Sequence, residues 1–482
     1  MLTIFLLCKK YFYKTFTDRK RLLAFAAFYF LTYFISAACL FKERIFLDGS
    51  YYFFHVVNAE SFRVEHQRYI LIASQFLAWL GTIFSLPLNS IVFLNSINPV
   101  LYLATLFCLS FYWLRHEGAC WALLLMGVCG MYFLYFCPMY EVWYGGMLLI
   151  FFSALLDKKR YQTISQKLFF NFMLITVLFA YPLLVIGVVF VLLFHISEEK
   201  KLNSSLSIQL GFIFLFWILY KYFFISDYEN GKISWPASQL GNILTNNLGS
   251  LNNIYSLIKF LVLYYGELLT MAFIAVYHMV KRKKNRLAVL TVSVIAGYIL
   301  LINTTQPGPW IRTNYFERMY LTLVPLCLMP FVKEVFYTSS KKIIWQIIFV
   351  LIIIYRGAAI LQHADFYSQR NAQLQQLIAA AQLNKGSKFY IDDAKHPEND
   401  RLYEWSLPME TILFSSLYNK DHTISISTLS ELNQKEVMQK LNNNSFHLRL
   451  NEVYDDGWLN QRYFHLHPGN YSEINDKLIT PY

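Results

Sequence analysis

The stretch Arg21–His55, RLLAFAAFYFLTYFISAACLFKERIFLDGSYYFFH, decides the class of fold. From Leu22 to Phe41 no residue is charged. As a helix at 1.5 Å per residue this run is about 30 Å long, the thickness of a bilayer's hydrocarbon core. On its amino-terminal side, Lys9, Lys10, Lys14, Arg19, Lys20 and Arg21 face a single acid, Asp18. Such a one-sided basic excess marks a cytoplasmic tail. On its carboxyl-terminal side the loop 42–68 mixes both signs, with Lys42, Glu43, Arg44, Asp48, Glu60, Arg63, Glu65 and Arg68, and is expected to face outward.

The rest of the 482-residue chain repeats this pattern. It is 56% hydrophobic and 15% charged, too apolar for a soluble chain of this length. The net charge of +12 sits in short loops between apolar runs, so positive-inside bias accounts for it and nucleic acid is not an expected partner. Cysteines number seven, and neither their spacing nor any histidine pattern predicts a disulfide framework or a metal site.

Further apolar runs lie near 69–86, 91–114, 119–136, 141–156, 166–180, 182–196, 206–224, 256–280, 287–302, 319–336 and 343–361. Basic clusters follow several of them: Lys158–Arg160, Lys200–Lys201, Lys281–Lys284 with Arg286, and Lys341–Lys342. All these clusters fall on the cytoplasmic side if the run 69–86, with Ser74, Gln75, Gly81, Ser85 and Pro87, is a partial segment. The expectation is an all-α polytopic membrane domain, residues 1–361, of about eleven spans plus that partial segment, with the amino end cytoplasmic. Treating 166–196 as one span kinked at Pro182 would place Lys158–Arg160 outside.

Residues 362–482 are polar by contrast. Lys388–Asp392, Thr423–Ser427 and Phe446–Leu450 predict short strands, with helices over Leu407–Tyr418 and Leu429–Leu441 between them. A small α/β domain on the outer face follows.

Asp48 is the first candidate for chemistry. As part of Asp48-Gly49 it suits an ordinary turn; as a carboxylate at the membrane surface, backed by Tyr51, Tyr52, Phe53 and Phe54, it suits a proton acceptor. A first span followed by an outward loop that opens with an acid resembles the layout of GT-C-fold glycosyltransferases, which take sugar from a polyprenyl-phosphate carrier. Phe46–Tyr52 with Arg63–Tyr69, the Tyr140-Glu141 step after a proline, and RTNYFERMYLTLVP at Arg312–Pro325 carry the resemblance. Where many relatives have paired acids, this chain has Asp48-Gly49. The resemblance implies an inverting hexosyl- or pentosyltransferase, expected in a bacterial inner membrane, that passes sugar to a lipid, glycan or protein acceptor outside.

Transfer from a phosphate-linked sugar needs a base for the acceptor hydroxyl and positive charge for the departing phosphate. Asp48 is the expected base. Arg312, Arg318 and Arg68 are the expected phosphate holders, though headgroup anchoring is the commoner role of a single arginine at such a place, and pairing with Glu317 is the other reading of Arg318. Glu141 is expected as a second carboxylate aiding Asp48 or binding a divalent cation; no other cofactor is expected. Tyr51, Tyr52, His55, Glu65 and Glu267 are expected around the substrate cavity, although a lone histidine in a tyrosine-rich loop is commonly structural, and tyrosine hydroxyls could satisfy Glu267. Glu267 and the break at Pro182 keep a transporter or flippase open. An O-antigen polymerase or ligase would want a histidine in the loop 303–318, which has none.

Overall fold

The computed structural model describes residues 18–199, 204–231, 251–305, 313–384, 386–395 and 402–474. The basic tail before Asp18, Lys200–Lys201, most of the loop 225–255, the Gln306–Trp310 turn and Arg312 lie outside the described residues.

The helices are α1 Asp18–Cys39, α2 Asp48–Ala59, α3 Leu71–Ile83, α4 Leu88–Cys108, α5 Glu117–Met126, α6 Glu141–Asp157, α7 Ile164–Leu178 and α8 Leu184–Glu199. Then come α9 Ser204–Phe224, α10 Leu251–Lys281, α11 Asn285–Thr305, α12 Thr313–Tyr320, α13 Leu323–Phe331, α14 Lys342–Gln362 and α15 Ala364–Gln382. Among the described residues seven helical stretches are long and apolar enough to cross a membrane: Arg19–Cys39, Leu88–Trp113, Leu206–Phe224, Ile254–Lys281, Asn285–Asn303, Glu317–Phe336 and Lys342–Gln382. The chain is therefore a mostly helical membrane protein with a small carboxyl-terminal sheet region. The last stretch runs past the expected boundary at 361, through the polar helix α15, before the sheet region begins.

Helix α1 shows how one element serves two surroundings. Leu22, Ala26, Tyr29, Tyr33 and Ala37 recur every three or four residues and are buried against the bundle, while Phe28, Leu31 and Ile35 are exposed as a lipid-facing stripe. Helix α6 is different: every residue from Glu141 to Leu156 is buried, so an apolar sequence on all sides fits its central place.

The two ends of α6 mark the two ends of the bundle. At its carboxyl end Asp157 meets Lys333 at 2.7 Å, and Lys333 meets Glu198 at 3.3 Å. Lys159 pairs with Glu199, and Lys284 with Glu334 at 2.5 Å. The clusters around Lys158 and Lys281 thus share one end. At the other end Glu141 meets Arg68.

Helix α3, the expected partial segment, has 13 residues, about 20 Å of rise. It begins just after Arg68, and just past its end Ser85 accepts a 2.8 Å hydrogen bond from Arg462 of the carboxyl-terminal region. Both its ends lie on the Glu141 side. The break at Tyr181-Pro182 separates α7 from α8.

In the carboxyl-terminal region, β1 Lys388–Ile391, β2 Ser425–Thr428 and β5 Ser472–Glu473 form a parallel sheet in the order β2-β1-β5. The buried helix α16 Leu407–Ser416 lies between β1 and β2, the crossover that parallel strands require. The expected helix 429–441 is two short helices, α17 Leu429–Leu432 and α18 Lys435–Lys440. Strands β3 Ser445–Arg449 and β4 Glu452–Asp455 form an antiparallel hairpin whose tip, Leu450, has φ of 46°.

This region docks on α2, which stands where the sequence suggested a loop. Phe54 stacks on Phe464 at 5.4 Å, and the Asn58 side chain donates to the Trp458 carbonyl at 3.1 Å. Ten of the twelve α2 residues, Gly49 to Asn58, are buried. Asp48-Gly49 is consequently a helix start and not a free turn.

Candidate active site between the bundle and the carboxyl-terminal region

A cavity of about 400 Å³ opens where α2, the segment 60–70, the chain after α9, α12 and the β3–β4 hairpin meet. That is a normal size for a small-molecule site. Asp48, Tyr51, Tyr52, Glu65, His66, Arg68, Tyr228, Arg318, Arg449 and Leu450 line it. Two carboxylates and three guanidiniums therefore face one space.

Each element is held by local backbone geometry. Leu47, just before Asp48, has φ of 46° and ψ of −123°, a conformation that costs an L-residue roughly 1–3 kcal/mol. Its N–H donates to Glu410 Oε1 at 3.2 Å, and Glu410 is itself paired with Arg370 at 2.6 Å. Asp48 then occupies the first turn of α2, where the helix dipole favours an anion. Gly49 sits so close to Cys137 that an added Cβ would lie 3.1 Å from its sulfur. A side chain at this position would need Cys137 to give by a few tenths of an ångström. His66 and Gln67, with φ of 51° and 61°, turn the chain so that Arg68 enters the cavity wall.

The charges are arranged in a chain. Arg318 Nη1 donates to Asp48 Oδ2 at 2.7 Å and its Nη2 lies 3.9 Å from Glu141 Oε2. Arg68 Nη1 donates to Glu141 Oε1 at 2.9 Å, and its Nε lies 3.5 Å from Glu229. Tyr181, at the helix break, stacks under both guanidiniums, 4.7 Å from Arg68 and 5.6 Å from Arg318. On the opposite wall Arg449 lies over Tyr51 at 3.8 Å, bonds Glu452 at 2.9 Å and stands 3.9 Å from Glu65. Glu65 also accepts from Tyr51 and from Arg63. His66 stacks on Tyr228 at 4.2 Å; burial and the Arg68 charge lower its pKa, so it is a neutral wall. Burial, opposed by Glu141 as the leading attraction, leaves Arg68 with a raised pKa.

Of the residues expected from sequence, Asp48, Tyr51, Tyr52, Glu65, Arg68 and Arg318 come together here. Three do not. Glu141 is buried behind the arginines, with its side chain 2% exposed, and does not line the cavity; it is a counter-charge and has no open path to a substrate. His55 points into an aromatic cluster with Tyr51, Phe54 and Trp458, and burial lowers its pKa to about 3. Glu267 belongs to another site, where Arg356 from α14 pairs with it and also donates to Tyr132. Arg312 lies outside the described residues. The alternative pairing of Arg318 with Glu317 is not found: Glu317 Oε2 accepts 3.0 Å hydrogen bonds from the backbone N–H groups of Tyr132, Phe133 and Leu134.

Tyr228, Glu229 and Arg449 are the members that the sequence reading did not single out. The nearest signal was Phe446–Leu450, recognised as a strand but not for its terminal arginine. Among the described residues no three His, Cys, Asp or Glu side chains gather. Asp48 and Glu141 each already face a guanidinium, and Arg318 stands between them.

No protein-family model, curated protein or solved structure matches the chain. The chemistry therefore rests on the cavity's own residues.

Proposed function

We propose that the protein is a membrane glycosyltransferase that moves a sugar from a polyprenyl-phosphate donor to an acceptor hydroxyl at the non-cytoplasmic face. One observation carries this reading: a partly exposed carboxylate, Asp48, shares a cavity with the guanidiniums of Arg68, Arg318 and Arg449. Guanidinium forks match phosphate oxygens, and a carboxylate accepts a proton.

The acceptor oxygen attacks the anomeric carbon as Asp48 takes its proton. The bond from that carbon to the phosphate oxygen breaks, and its electron pair leaves with the polyprenyl phosphate toward Arg318 and Arg68. A single displacement inverts the anomeric centre. Arg318 holds Asp48 at 2.7 Å before substrate arrives; a phosphate that takes over Arg318 frees the carboxylate to act. Glu141 and Glu229 keep the two arginines in place, and the hairpin bearing Arg449 covers the cavity.

The same reading implies a topology. The basic clusters share the Lys333 end of the bundle, which is taken as cytoplasmic. Counting α5 with the segment up to Tyr140, and α12 with α13, gives eleven crossings, with α3 partial and the carboxyl-terminal region outside. Glu267 is paired with Arg356, which accounts for one of the two features that kept a transporter open; the break at Pro182 is the other.

The test is mass spectrometry of envelope lipids and glycans from a deletion strain carrying either the wild-type gene or Asp48→Asn. The wild type restores a sugar-bearing species. Asp48→Asn, lacking the base, lowers it by about 10²–10⁴-fold while accumulating to the same level in the membrane. Full restoration by Asp48→Asn would refute the mechanism.

A further inference from the structure

Phe46–Gly49 is a tight turn. The Gly49 N–H donates to the Phe46 carbonyl at 2.9 Å, and between them Leu47 has φ of 46° and ψ of −123°. Those angles belong to the first central position of a type II′ turn, which glycine ordinarily fills because a Cβ is strained there. A buried leucine stands here instead. Strain of this kind persists only where the surroundings hold it, and it gathers at functional sites. The next residue is Asp48, whose carboxylate meets Arg318 at 2.7 Å.

The hold on this turn comes from far along the chain. Leu47 caps the start of α2, and its side chain makes no capping hydrogen bond. In a capping box a Glu or Gln three positions on accepts from the cap's N–H. That position in α2 is Ser50, whose hydroxyl instead donates to the Leu47 carbonyl at 2.6 Å. The acid is supplied by Glu410 of α16, whose Oε1 accepts from the Leu47 N–H at 3.2 Å and from the Ser406 hydroxyl at 2.7 Å. Glu410 Oε2 lies 2.6 Å from Arg370 of α15. The Arg370 guanidinium covers the Phe46 ring at 4.7 Å, and Tyr367 meets that ring edge-on at 5.2 Å. Phe46 and Leu47 are thus both held by α15 and α16. Glu410 and Arg370 are themselves buried. Such a pair gains little stability over apolar side chains of the same size, so the geometry it imposes on Leu47 is the better reason for it.

We infer that Glu410, backed by Arg370, is a positioning residue: it holds Leu47 in the left-handed turn and so aims the Asp48 carboxylate into the cavity. The carboxyl-terminal region then governs the rate of the chemistry as well as covering the cavity. When Leu47 relaxes to an ordinary conformation, the start of α2 turns and Asp48 moves off Arg318. The inference rests on Asp48 being the proton acceptor; the hold on the turn stands apart from that assignment.

The test combines Glu410→Met with Arg370→Met in the full chain, which removes the acceptor without stranding a buried charge. Steady-state transfer from a labelled polyprenyl-phosphate sugar should show kcat lowered by about 10²-fold, the cost of misplacing a reacting group by ~1 Å, with the donor KM unchanged. Glu410→Gln with Arg370→Met keeps a neutral acceptor for Leu47 and should recover most of that loss. Leu47→Gly added to the double-Met variant removes the strain that Glu410 opposes. It should recover turnover, and also accumulation in the membrane where the double-Met variant lowers it. Amide hydrogen exchange over residues 47–50 should be faster in the double-Met variant than in wild type. Wild-type kcat in the double-Met variant would overturn the inference. So would a loss of kcat or of accumulation that neither Glu410→Gln nor Leu47→Gly recovers. Asp48→Asn keeps the two failures apart. Wild-type transfer by Asp48→Asn sinks the base assignment, while exchange still reads the hold on the turn. An inactive Asp48→Asn beside a fully active double-Met variant sinks the positioning role alone.

Discussion

Replacing Glu141 by glutamine separates a counter-charge from a catalytic acid. Its carboxylate lies 2.9 Å from Arg68 and 3.9 Å from Arg318, with 2% of the side chain exposed. At an effective dielectric constant of ~20 each pairing is worth roughly 4–6 kcal/mol before desolvation. Removing one partner of a buried pair costs a net ~3–5 kcal/mol, because the remaining charge is stranded. Here Arg318 keeps Asp48 at 2.7 Å and Arg68 keeps Glu229 at 3.5 Å, which puts the cost at the low end, about 3 kcal/mol. With an unfolding entropy of ~2.1 cal/mol/K per residue, a chain of 482 residues should lose about 3 °C in Tm. Thermal scanning in detergent measures this, and steady-state transfer assays accompany it. Glu141→Gln should also raise the donor KM, since the phosphate-holding arginines lose their fixed geometry. A Tm within 1 °C of wild type with an unchanged donor KM would refute the reasoning; a fall in kcat alone would make Glu141 a participant in chemistry.

Two further tests address other walls. Arg449→Gln removes a guanidinium brought from the β3–β4 hairpin, and should raise the donor KM by about tenfold in transfer assays while the Tm stays close to wild type; an unchanged KM would show that the hairpin does not touch substrate. His55 has a folded pKa lowered to about 3, chiefly by burial, against 6.5 when free. Between those values the unfolded chain binds the proton and the folded one does not, so stability rises with pH across that window. Thermal scans from pH 4 to 7 should show a flatter rise for His55→Phe, and the same slope in both proteins would contradict the burial.

Much of the site was legible because membrane proteins advertise polar residues at the ends of apolar runs. Asp48, Arg68 and Arg318 each flank such a run, and the cavity does unite them. Helix α2 was not legible: Tyr51–Val57 is aromatic or apolar at every position but His55, so it carries no period from which to read a helix face, and only its burial between the bundle and Phe464 explains it. Glu267 misled because its partner, Arg356, is 89 positions away and is supplied by packing of α10 on α14. Glu317 misled for a similar reason, since backbone N–H groups of the segment 132–134 hold it and no side-chain pattern marks them. Arg449 and Glu229 enter the site only through tertiary docking, on a hairpin tip and a helix end that look ordinary in one dimension. Strands β1, β2 and β3 were legible to within two residues from their apolar and β-branched residues, whereas the short strands β4 and β5 were not expected.

The central claim is that Asp48 takes a proton while Arg68 and Arg318 receive a phosphate. Its most direct test is reconstitution of the purified chain in liposomes with a labelled polyprenyl-phosphate sugar and the envelope extract as acceptor source, followed by measurement of free polyprenyl phosphate released. The wild type should release it in step with sugar transfer, Asp48→Asn should release almost none while still binding the donor, and Arg318→Gln should bind the donor weakly. Release by Asp48→Asn at the wild-type rate, or no release by the wild type with any polyprenyl-phosphate sugar offered, would contradict the account.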